Sequence, residues 1–107
     1  MIAVAHRWSE VHDQHRFAIY SLVEAHGCHC EGTGDGLLSV TMKPSDDGKG
    51  WSCEARDLHV LLQRMGFVEH QPRYEWPCDR RDEWTNARGY WFVVAYYPPA
   101  KPLRYTA

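Results

Sequence analysis

Four cysteines and seven histidines among 107 residues are the side chains with the most chemistry to offer. Metal binding is the first such chemistry. Cys28, Cys30, Cys53 and Cys78 make a complete thiolate set for a structural tetrahedral zinc, with His26 or His29 as substitute ligands. The spacing is C-x-C with two lone partners, not a pair of C-x-x-C knuckles. Free, partly buried thiols are therefore the competing reading. The remaining candidate ligands are His6, His12, His15, His59 and His70. His12 and Cys28 lie 16 residues apart along an expected helix and its exit. At the helical rise that is about 24 Å, too far for one ion. His12 and His15, at i and i+3, share a face and could form half a site.

Nucleophilic catalysis is the second chemistry. Cys53 falls in the first turn of an expected helix, where the helix dipole favours thiolate. A nucleophile also needs a base within hydrogen-bond reach. His59 is six residues on and projects from another side of that helix, and the neighbouring Glu54 opposes thiolate formation. The carboxylate pairs Asp46–Asp47 and Asp82–Glu83 stand in turns beside Lys49, Arg80 and Arg81, where solvated charge is the ordinary outcome. No P-loop, nucleophile elbow or H-E-x-x-H pattern is present. A small enzyme is thus an alternative rather than the expectation.

The elements that must position these residues follow from periodicity and capping. The segment Ser9–His26 predicts a helix with Ser9 as N-cap. Its buried stripe is Val11, His15, Ala18, Ile19, Leu22 and Val23, and Gly27 is its left-handed exit. Cys28–Gly36 reads as a loop. Its three glycines lead into an expected strand, Leu37–Met42, and not into the helix start that a phosphate cradle requires. Lys43–Gly50 is a turn cluster. Ser52–Met65 predicts a second helix, capped by Ser52, with Ala55, Leu58, Leu61, Leu62 and Met65 inward. Gly66 and Phe67 fit a Schellman exit. Phe67–Trp76 predicts a strand with Val68, His70, Pro72, Tyr74 and Trp76 on one side and Glu69, Gln71, Arg73 and Glu75 on the other. Pro72 cannot donate to a ladder, which places that strand at an edge or a bulge at that residue. Pro77–Arg88 is expected to be a connecting loop. Tyr90–Tyr97 is apolar at every position and reads as a central strand.

These elements predict an α+β domain over residues 1–99. Two helices would pack on one face of a three- or four-stranded mixed or antiparallel sheet, with an extended tail over 100–107. A winged helix is the alternative, with the last two strands as its wing. It lacks the expected basic recognition helix, and a wing seldom contains a doubly apolar strand.

Eight of the 14 aromatic residues lie between Arg73 and Pro98. That is more aromatic surface than one small core takes up, and it predicts a contact surface. Trp91, Val93 and Tyr97 are the expected exposed face, and Arg80, Arg81, Trp84 and Arg88 the adjoining loop. Trp, Tyr and Arg are the residue types that dominate binding hot spots. The competing reading is that these aromatics fill a core or a homodimer seam. Between Arg73 and Arg88, four arginines meet four acids (Glu75, Asp79, Asp82 and Glu83), and the whole chain carries a formal charge of −2. A nucleic-acid groove would be basic, so the expected partner is a protein.

No segment approaches the ~20 apolar residues of a membrane span. The first 16 residues lack a signal-peptide apolar run, and a cytoplasmic location is expected. The combined expectation is a small non-enzymatic protein–protein interaction module. Stand-alone inhibitors from phages or mobile elements, for example of a host defence complex, are one class that fits a compact chain without motifs. The alternative is a zinc-stabilised regulatory domain contacting nucleic acid.

Overall fold

The computed structural model describes residues 7–11, 13–47, 50–70, 76–81 and 88–99. A 3-10 turn at Trp8–Glu10 precedes helix α1 (Asp13–Ala25). Strands β1 (His29–Gly32) and β2 (Leu38–Met42) follow, then helix α2 (Cys53–Arg64) and strands β3 (Val68–Glu69), β4 (Trp76–Arg81) and β5 (Arg88–Tyr97). All described pairings are antiparallel. The strand order is β1-β2-β5, with β3 and β4 both paired to β5. β2 takes Phe92–Tyr96 on one edge of β5. β3 pairs with Tyr96 and Tyr97, and β4 with Arg88–Val93, so both must lie along the opposite edge. The five strands therefore form four rows, the last row built from β3 and β4 in succession. The fold is the two-layer α+β arrangement and not the winged helix.

The helices bury one face of the sheet. Ile19 and Val23 of α1 and Ala55, Leu58 and Leu62 of α2 share a core with Cys30, Leu38, Val40, Met42, Val94 and Tyr96. Both helices close with the same device. In α2, the Gly66 N–H donates to the Gln63 carbonyl at 3.0 Å and the Phe67 N–H to the Leu62 carbonyl at 3.0 Å. In α1, Gly27 bonds back to Glu24 at 2.9 Å and Cys28 to Val23 at 3.1 Å. These are two Schellman exits, and the positive φ values of Gly27 (71°) and Gly66 (99°) are what they require. At the other end of α2, Ser52 Oγ accepts the Ala55 N–H at 3.2 Å, as its sequence position predicts.

Several local expectations change. Ser9 is not the N-cap of α1; it lies inside the 3-10 turn, and Val11 then takes an extended backbone before the helix begins at Asp13. Trp8 dictates that break. It is 3% exposed, and its indole N–H donates to the Tyr20 hydroxyl at 3.1 Å. The expected loop Cys28–Gly36 contains β1, because Cys30 lies opposite Val40 and shares its buried face. The expected strand Phe67–Trp76 is described as a strand only over Val68–Glu69 and again at Trp76, where β4 begins; residues 71–75 lie outside the described set. Its polar side is also reassigned. Glu69 is opposite Tyr96 in the ladder and only 8% exposed, so it belongs to the helix-facing layer. The expected loop Pro77–Arg88 is strand over Pro77–Arg81 and again at Arg88, since Trp76–Arg81 pairs residue by residue with Val93–Arg88; residues 82–87 lie outside the described set. An outer row tolerates Pro77, which cannot donate to a ladder. The tail 100–107 lies outside the described residues.

Gly32 marks where the N-terminal turn closes on the sheet. A Cβ built on it would come within 2.5 Å of Trp8 Cδ1. Since that atom belongs to a rigid buried ring, Gly32→Ala is expected to destabilise the protein by about 1–3 kcal/mol. Urea denaturation checks this; a midpoint equal to that of the parent chain would show that Trp8 moves aside freely.

Candidate functional site

The β4–β5 pair runs on past the last pairing of its described neighbour β2. β2 pairs with β5 only as far as Phe92, through Met42. Beyond that point Cys78–Arg81 pairs with Trp91–Arg88, and no other described strand joins them. The chain cannot carry β2 further in line, because Pro44 bridges back to Trp51 on its way into α2. A two-stranded ribbon thus continues past the sheet for about 13 Å, four residues at the strand rise. Its register places Arg81 opposite Arg88, Arg80 opposite Gly89, Asp79 opposite Tyr90 and Cys78 opposite Trp91. Arg80, Arg81 and Arg88 therefore belong to paired strand ends and not to a free loop. Trp84 lies outside the described residues.

The sheet face turned away from the helices carries Trp91, Val93, Ala95 and Tyr97 from β5. Ser39 and Thr41 of β2 lie in register with Ala95 and Val93, and Glu31 and His29 of β1 continue those two rows. The expectation of an open aromatic face is corrected here. Trp91 is 6% exposed, Val93 5% and Ala95 7%, although none belongs to the helix-facing core. Tyr97 is half-buried. His70 stacks on it with ring centroids 5.4 Å apart and an interplanar angle of 21°, held in place as the His70 N–H donates to the Ala95 carbonyl at 2.9 Å. Of the expected contact residues on this face, Tyr97 keeps accessible surface and Trp91 is a packed group at the root of the ribbon.

The four cysteines do not come together. Cys30 is in β1 and Cys78 in β4, three rows away across the sheet. Three inter-strand spacings amount to about 14 Å, whereas sulfurs on one zinc lie about 4 Å apart. Cys28 and Cys30 are buried and Cys53 is exposed. The Cys28 sulfur accepts the Lys43 N–H at 3.4 Å and its thiol faces the His26 carbonyl at 3.6 Å. Burial pushes the Cys30 thiol up to about 12, with the nearby charges of Glu24, Cys28 and Glu31 acting in the same direction. Among the described residues, no group of three or more His, Cys, Asp or Glu side chains is arranged to hold a metal ion.

Cys53 opens α2, and its sulfur accepts from the Arg56 guanidinium at 3.9 Å. Glu54 beside it is lowered from the ordinary carboxylate range, first by its own backbone N–H and then by Lys43, Ser52 and His26. His59 is committed elsewhere, so it does not serve Cys53 as a base. These environments predict a sharp reactivity order. Alkylation of the native protein at pH 8, mapped by mass spectrometry, should modify the exposed Cys53 before the buried Cys28 and Cys30. Cys30 combines a buried sulfur with a thiol pushed up to about 12, so it should react slower than the exposed Cys53 by on the order of a hundredfold or more. Equal rates at Cys30 and Cys53 would contradict the described burial.

One polar constellation is missed by the sequence reading. Nδ1 of His59 lies 2.8 Å from the hydroxyl of Tyr96, which is fully buried, and joins α2 to the central strand. Trp51 packs edge-on against the same imidazole, with centroids 5.4 Å apart. A signal for it exists: Ala55, His59 and Leu62 fall at i, i+4 and i+7, on the flank of the buried stripe of α2. What the spacing lacks is the identity of the group facing it. No helix among the described residues is long and apolar enough to cross a membrane. No family model, no curated protein and no solved structure matches the chain.

Proposed function

We propose that this protein is a small non-enzymatic interaction module that docks on a protein partner through its β4–β5 ribbon. The supporting observation is the register: four residues of each strand continue beyond the last pairing with β2. An isolated two-stranded ribbon is at best marginally stable in water, so a projecting one gains most from a second surface. The ribbon end carries Arg80, Arg81 and Arg88, with Trp84 in the connecting sequence. Arginine and tryptophan are the types that dominate hot spots. Arg81 and Arg88 are directly opposed in the register, and like charges so placed destabilise a ladder, which a carboxylate on a partner would relieve. Tyr97 and His70 offer a second accessible contact at the far end of β5. A stand-alone inhibitor of a host defence complex, from a phage or mobile element, is the biological role this reading accommodates.

Affinity capture from native lysate with mass spectrometry identifies the partner, and substitution tests the surface. The double variant Arg81→Glu with Arg88→Glu is expected to weaken capture at least tenfold, about 1.4 kcal/mol, while circular dichroism stays that of the parent chain. Undiminished capture by the folded variant would remove the ribbon from the interface.

A further inference from the structure

No further inference is drawn: the strongest candidate, the His59–Tyr96 hydrogen bond between α2 and the central strand with Trp51 against the imidazole, joins groups within or beside the core, and nothing in the structure sets which ring nitrogen carries the hydrogen, so neither a ligand nor the sign of a proton switch follows from it.

Discussion

Trp8→Ala is expected to lower the stability of this protein by about 3–5 kcal/mol, the range for removing a large buried aromatic side chain. Trp8 is 3% exposed and sits where the N-terminal turn meets α1, β1 and the exit of α2. Its ring meets Tyr20 edge-on at 5.7 Å and lies 6.3 Å from Phe67. Its N–H is satisfied by the Tyr20 hydroxyl, and its Cδ1 fills the space left open by Gly32. The loss therefore combines transfer free energy, a cavity and an unpartnered hydroxyl. For a domain with the usual 5–15 kcal/mol of total stability, this is a large share. Urea unfolding followed by far-UV circular dichroism measures it, since the readout does not depend on the tryptophan removed. Trp8→Phe should cost clearly less, because it keeps most of the ring volume and gives up the hydrogen bond. A loss below about 1 kcal/mol for Trp8→Ala would mean that the N-terminal turn is not part of the cooperative core.

Tyr96→Ala should be of comparable size, about 3–5 kcal/mol, because Tyr96 is the largest of the fully buried side chains among the described residues and lies on the central strand. Here the hydroxyl can be separated from the ring. Tyr96→Phe keeps the packing and leaves His59 Nδ1 without its 2.8 Å partner, which predicts about 1–3 kcal/mol. His59→Ala combined with Tyr96→Phe closes a double-mutant cycle. A coupling of about 0.5–3 kcal/mol is expected for groups in direct hydrogen-bond contact. Additive losses would show that α2 is held to β5 by apolar packing alone. The contrast also bears on specificity. The stripe Ala55, Leu58 and Leu62 is apolar and tolerant of rotation, whereas a hydrogen bond to one tyrosine selects a single helix orientation.

The elements best legible in the chain are those whose signals are local. Ser52 as a cap, the Ala55–Leu58–Leu62 stripe and the Gly66–Phe67 exit define α2 almost to the residue, because each depends on neighbours within one helical turn. Gly27 ends α1 for the same reason. The central position of β5 is also readable, since a run apolar at every position reads as an inner strand of a sheet. That same run set a trap. Apolar residues on both faces suggested one face left open to a partner, yet Trp91, Val93 and Ala95 are nearly buried. Sequence pattern reports which side chains avoid water, not which part of the molecule excludes it.

Where strand pairing decides, local pattern failed. Cys28–Gly36 has the composition of a loop, and β1 exists because β2 lies alongside and satisfies its backbone groups. Trp76–Arg81 contains a proline and three charges, and it is a strand because β5 supplies the ladder. Glu69 looked outward by alternation, but its row is set by pairing with Tyr96. A shift of one residue in pairing exchanges the two faces of a strand, so alternation fixes relative facing and leaves the absolute side open. The cysteines follow the same rule. Their spacing allowed a four-thiolate set, and the strand order alone places Cys30 and Cys78 three rows apart. By itself the chain determined its two helices, the exit of α1 and both ends of α2, the central strand and the two-layer class, whereas the start of α1 at Asp13 was set by the packing of Trp8. Only the tertiary structure decided the register, the buried side of each strand and the projecting ribbon, because those depend on which distant segment satisfies each backbone hydrogen bond.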